Sequence, residues 1–217
     1  MSRPATRKAA PKGEYIETDS GNKVSRRAAI TGTANITLGG RTVISADVHL
    51  RGDLHPSRPA PSSSNNGPAR DAPPTSISIG RCTVVSAGCV VRPPSRVSRG
   101  AVHYYPMKIG DNVFIGPNTT ISAISISSHV HIGAGCVIHP FAIIKDNVKI
   151  LPNTVVPAHM VIPSGSVVAG RPARVVGEVG EGWGVSAGGA GGGALGGAGG
   201  QGWVEGGDLR ELVRGIR

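Results

Sequence analysis

The chain has 217 residues, enough for one domain with a sizeable core or one domain with tails. Glycine is abundant at 33 residues and aromatics make up only 3%, which argues against a bundle of helices and suits a turn-rich architecture with a thin core. The formal charge of +10 invites a nucleic-acid partner, but no aromatic stacking platform is interleaved with the basic residues. The charge therefore reads as a solvated basic tail and rim, or as a docking surface for an acidic protein.

In chain order, residues 1–13 form a basic, acid-free tail with two prolines among its first residues. It has no apolar core of a secretory signal, and its composition leaves an organellar targeting role open. No apolar run is long enough to span a bilayer, so direct membrane insertion is not expected. The three cysteines, Cys82, Cys89 and Cys136, form no CxxC pair, and their odd number argues against a disulfide framework.

From residue 14 to 176 the sequence beats in sixes. The anchors run Ile126, Ile132, Ile138, Ile144, Ile150, Val156, Ile162, Val168, preceded by Ile109, Ile115, Ile121 and by Ile79, Val85, Val91. The first part reads Ile30, Ile36, Thr42, Val48, Leu54, with Thr42 the weak member. Six is not a helical period, but it suits a short strand plus a turn, repeated, as in parallel β-helices. Glycine often follows the anchor, and the position four after the anchor is small or β-branched. Cys89 and Cys136 occupy that small position, so they read as packing residues rather than nucleophiles.

Three features break the beat. Residues 55–76, rich in Pro, Ser, Asn and Gly, read as a disordered insertion. Residues 92–108 read as a protruding loop that either contacts a partner or packs back on the coils; Arg92, Arg96, Arg99, Tyr104 and Tyr105 are its candidate contact residues. Ile121 to Ile126 is one residue short, which suggests a tightened corner. Residues 177–207 read as a flexible Gly-rich segment. Residues 208–217 form a short helix with Leu209, Leu212, Val213 and Ile216 on one face, covering a face of the domain or docking on a partner.

The repeat resembles that of hexapeptide-repeat proteins, which implies an all-β, left-handed parallel β-helix. More specific pieces are Glu14-Tyr15-Ile16-Glu17-Thr18, Ser20-Gly21-Asn22-Lys23-Val24-Ser25-Arg26, Asn35-Ile36, Arg51-Gly52-Asp53-Leu54, Val91-Arg92-Pro93-Pro94 and Ile109-Gly110-Asp111. Through these, residues 14–170 closely resemble the dynactin subunit 5 family. The insertion at 55–76 and the Gly-rich stretch depart from that pattern. The resemblance implies a monomeric, non-catalytic adaptor subunit of the dynactin pointed-end complex, cytoplasmic and cytoskeleton-associated. Its implied partners are dynactin subunit 6, other pointed-end subunits, the actin-related protein at the filament end, and dynein cargo adaptors, with endosomes among the cargo. No cofactor and no metal are implied.

Two enzyme classes share the implied fold, so their residues are tested separately. "VHLRGDL" also resembles γ-class carbonic anhydrases, but the positions of their three metal-binding histidines carry Arg92, Pro117 and Ser122, none of which replaces an imidazole. His129 and His131 form His-x-His and are expected on one strand, facing solvent, as are the scattered His103, His139 and His159. "GRPARVVG" resembles the segment after the last coil of hexapeptide acyltransferases, where it lines a coenzyme A groove. A homotrimeric acyltransferase using acetyl-CoA, with His103 as candidate base, is the alternative reading. The Arg51-Gly52-Asp53 triplet is expected to hold an ion pair that shapes the end of a coil.

Overall fold

A computed structural model describes residues 14–55, 75–183 and 207–216. The basic tail 1–13, most of the insertion 55–76 and the Gly-rich stretch 184–206 lie outside the described residues.

The chain winds a left-handed parallel β-helix with three flat faces. Two faces carry six strands each, and the first carries nine. Most strands have only two or three residues, because each six-residue repeat must hold both a strand and a corner. In the regular part, Ile132 pairs with Ile150, Ile138 with Val156 and Ile126 with Ile144, each eighteen residues along the chain. Three hexads therefore make one coil. The one-residue deficit between Ile121 and Ile126 is absorbed at a corner where Ser122 and Ala123 are buried.

The anchors form the core. From Ile79 to Val168 every anchor is at most 2% exposed. Each sits on the anchor of the next coil at the spacing of neighbouring strands, about 4.8 Å. Such a column needs no large side chains, which explains how the core is built with so few aromatics.

The first coil corrects the expected register. Val24 pairs with Ile44, Ile30 with Leu50, and Leu38 with Ile79. The anchors that stack on the later columns are thus Val24, Ile30, Leu38, Ile44 and Leu50; Ile36, on the same strand face as Leu38, also packs against the core but pairs with Ile77 rather than with the anchor Ile79. A 3-10 turn at Thr33–Asn35 adds two residues between Ile30 and Leu38 and shifts the beat. Thr42 and Val48 then take the small position, where both are fully buried.

The small position also makes hydrogen bonds. The hydroxyls of Thr42, Thr83 and Thr119 donate to Gly80 O, Gly110 O and Gly133 O at 2.8, 2.9 and 3.1 Å. Cys89 and Cys136 do the same through sulfur, to Gly116 O at 3.1 Å and Leu151 O at 3.2 Å. Burial pushes both thiols up from their ordinary pKa. They are poor nucleophiles for that reason.

Both insertions leave the same corner, between the second and third faces of successive coils: residues 55–76 follow the strand His49–Arg51, and the protruding segment follows Val90–Val91. Beyond residue 176 regular structure continues. The strand Arg174–Glu178 pairs antiparallel with Ser166–Ala169 and closes the edge of the first face. An open edge is a template for unwanted pairing; this turn back covers the edge of the last coil with one antiparallel strand, Arg174–Glu178, which is itself exposed and becomes the end strand of the face. The C-terminal helix spans Arg210–Gly215 and lies on the first face. Among the described residues, no helix is long and apolar enough to cross a membrane.

Candidate protein-interaction site

The segment read as a loop is a β-hairpin. Strands Ser95–Ser98 and Ala101–Tyr104 pair through a two-residue turn at Arg99-Gly100, both with positive φ (50° and 76°). That geometry matches the natural twist of a hairpin, and glycine adopts it without steric cost. The base is closed by Tyr105 N–H donating to Pro94 O at 2.9 Å.

The hairpin stands away from the coils, and residues 95–103 are all exposed. Its cross-strand pairs give it two faces. Val97 and Val102 pair on one, 70% and 48% exposed, beside the Ser95–Tyr104 pair. Arg96 and His103 pair on the other. An isolated two-stranded ribbon is marginal in water, and an exposed valine pair adds no stability there unless something covers it.

The five candidate contact residues do not form one patch. Arg96 and Arg99 project from the hairpin. Tyr104 lies on the valine face. Tyr105 sits at the base, where its ring meets Phe141 edge-on at 5.3 Å; Phe141 in turn stacks on His159 at 5.1 Å. Phe141 and His159 were missed in the sequence. Their signal is positional: each lies three residues before an anchor, Ile144 and Ile162, at the same corner of successive coils. Arg92 is drawn elsewhere, its Nε donating to Ser122 Oγ at 2.9 Å. This Arg–Ser contact joins two of the positions at which the carbonic anhydrase resemblance would require histidines.

The expectation for His129 and His131 is corrected. They do not share a face. His129 lies at a corner with φ 57°, and only His131 is on the strand. His131 is half-buried, stacked on Phe114 at 4.8 Å, with Trp183 edge-on at 6.5 Å. Trp183 is anchored by its indole N–H to His129 O at 2.9 Å. Among the described residues, no group of three or more His, Cys, Asp or Glu side chains is placed to hold a metal ion.

Arg51 and Asp53 form the expected ion pair. Nε and Nη2 of Arg51 donate to the two carboxylate oxygens at 2.8 Å each, and Thr31 Oγ1 adds a third bond at 2.6 Å. Arg51 first, then Thr31, holds the Asp53 carboxyl well below the usual carboxylate range. The pair lies on the rim, both side chains more than a third exposed.

Comparison with known proteins fits this geometry to a family. The family model described as dynactin subunit 5 matches residues 70–184, which include the hairpin and the regular coils. The chain belongs to the dynactin subunit 5 family. Dynactin subunit 5 of Dictyostelium discoideum is 38% identical over 54% of this chain and 49% of its own length. An uncharacterized protein of the same organism is 28% identical over 77% of this chain and 65% of its own length. The chain thus spans about half to two-thirds of these curated relatives. Among solved structures, the N-acyltransferase AntD from Bacillus cereus is similar at a TM-score of 0.55 and 14% identity, over 78% of this chain and 93% of that one. A hexapeptide transferase family protein from Anaplasma phagocytophilum is similar at a TM-score of 0.51 and 21% identity, over 74% and 80%. At these identities the likeness shows the shared β-helix.

Proposed function

We propose that this member of the dynactin subunit 5 family is a structural, non-catalytic subunit of dynactin that works in the cytoplasm at the pointed end of the complex. Its neighbours there are dynactin subunit 6, the other pointed-end subunits and the actin-related protein that ends the filament. Together they connect dynein–dynactin to cargo adaptors and so to cargo such as endosomes. Family membership supports the assignment to dynactin, and the hairpin is the observation that carries the binding role. A rigid β-helix fixes where the hairpin stands. The hairpin offers an apolar pair on one face and cations on the other and at its tip, which is the combination that gives a contact both affinity and orientation.

The test is gel filtration of native lysate containing the tagged chain, with mass spectrometry of its peak. The reading expects elution in a very large complex with actin-related and β-helix partners. Elution as a homotrimer of the 22.0 kDa chain would overturn it. The hairpin is tested by changing Arg96, Tyr104 and Tyr105 together to Ala: assembly and cargo recruitment are expected to fall, and intact assembly and recruitment would remove the hairpin from the contact.

A further inference from the structure

A two-stranded hairpin has two edges, and the register tells which groups line them. In an antiparallel pair, opposed residues alternate between those that bond each other and those whose N–H and C=O point away from the partner strand. At the base, Tyr105 N–H bonds Pro94 O. Counting from that pair, Arg96 bonds His103 and Ser98 bonds Ala101. The outward groups therefore belong to Ser95 and Val97 on one edge, and to Val102 and Tyr104 on the other. Among the described residues, no backbone carbonyl outside the hairpin accepts any of these four N–H groups. The edge of Ser95–Ser98 is the more open: all four of its residues are exposed, whereas Tyr104 on the opposite strand is half-buried.

Charge restricts what can lie along that edge. The sequence has no Asp or Glu from residue 72 to residue 110. Arg96 and Arg99 make no ion pair among the described residues. A second copy of this chain brings the same cations to the contact. Residues 56–74 hold two arginines against one aspartate, so they do not neutralise the hairpin either. The complement has to come from a different, acidic chain.

We propose that the Ser95–Ser98 edge takes an extended acidic segment of a partner protein as a third strand. The segment's backbone bonds the outward groups of Ser95 and Val97. Its apolar residues lie beside Val97, and its carboxylates stand beside Arg96 on the other face and reach Arg99 at the tip. The matching sequence alternates apolar and acidic residues, because successive side chains of a strand point to opposite faces. Main-chain bonds give such strand addition its affinity, and opposite charges on neighbouring strands favour it. The third strand also turns a ribbon that is marginal in water into a sheet with an apolar face. This proposal rests on the hairpin being a contact, and names the mode of that contact and the chemistry of the partner.

The probe is a short fluorescent peptide that alternates Val and Glu, titrated with the full-length chain. It is expected to bind, and more weakly as salt rises. A peptide alternating Val and Lys is expected not to bind, and Arg96→Glu should weaken the Val–Glu peptide. Two proline variants separate the edges. Val97→Pro and Val102→Pro each remove one outward N–H and leave the hairpin's own bonds in place. Val97→Pro should weaken the Val–Glu peptide about tenfold or more, and Val102→Pro by no more than about twofold. Methylating alternate backbone nitrogens of the peptide removes the donors that face the edge, without altering the protein, and should abolish binding in one of the two possible phases. Four results would overturn the proposal: no binding of the Val–Glu peptide, equal binding of the Val–Lys peptide, equal effects of the two prolines, or full binding by both methylated peptides. Pull-downs of the native assembly separate this mode from the hairpin reading itself. If changing Val97 and Val102 to Ser lowers recovery and Val97→Pro does not, the hairpin docks by a face, and strand addition alone is refuted. If neither change lowers recovery, the hairpin reading is refuted with it.

Discussion

The guanidinium of Arg51 grips the carboxylate of Asp53 two residues away with two parallel hydrogen bonds of 2.8 Å, at the rim of a coil and beside the backbone where insertion 55–76 departs. The pair ties the end of the strand His49–Arg51 to the turn that follows it. Asp53 has its pKa depressed in the folded chain from 3.8, chiefly by Arg51. A depressed carboxylate contributes stability in full above its unfolded pKa and loses it as pH falls toward the folded value. Asp53→Asn should therefore lower the thermal midpoint slightly at neutral pH, and the gap to the parent should begin to narrow only as pH drops below about 4 and keep narrowing with further acidification. Paired melting curves from pH 7 down to about pH 2 check this; a gap that does not narrow over the acid end of that range would show that the carboxylate's charge is not what stabilises the rim.

The small-position donors give a second prediction. Cys89 sits fully buried where Thr83 and Thr119 sit in the same role, each donating to a carbonyl of the next coil. Cys89→Thr keeps size and donor and should cost little. Cys89→Ala leaves the Gly116 carbonyl unsatisfied and opens space, for a loss of about 1–2 kcal/mol. Urea midpoints of the two variants decide; equal losses would mean that the sulfur only fills volume.

A glycine beside the anchor is required where backbones of successive coils approach. A Cβ on Gly133 would lie 2.6 Å from the backbone nitrogen of Pro152 and 2.8 Å from its Cα. Neither atom can move without shifting a coil. Gly133→Ala should destabilise by about 1–3 kcal/mol through overpacking. Gly100, at the tip of the hairpin, has open space where its Cβ would be, and an alanine there is opposed only by the positive φ of 76°. Denaturant unfolding should therefore rank Gly133→Ala well below Gly100→Ala in stability.

The hairpin valines separate folding from binding. Val97 and Val102 touch little of their own chain, so the double change to Ser should alter stability by no more than about 0.5 kcal/mol. If the hairpin docks on a partner, the same change should reduce recovery of the native assembly several-fold in pull-downs from lysate. A stable variant that assembles normally would show that the apolar face of the hairpin is not a contact.

What the sequence determined by itself is the β-helix from Ile79 onward. Each anchor there meets the anchor one coil away, at a chain separation fixed by the fold's own repeat, so the pattern and the contact are the same fact. The small positions and the glycines follow, since both answer to the same stacking. The first coil was legible only in part. Two residues added at Thr33–Asn35 shift the stacking register from Ile36 to Leu38; both face the core, and only pairing with Ile79 shows which one continues the column of anchors. The tertiary structure alone decided the rest. The hairpin's two faces depend on the pairing of Val97 with Val102. Tyr105, Phe141 and His159 come together because a corner stacks them. His131 turns from a solvated side chain into a covered one because Trp183 reaches back to His129. Lys23 meets Val213 across 190 residues of chain. No period links those two positions, because the contact is between a finished face and a separate helix.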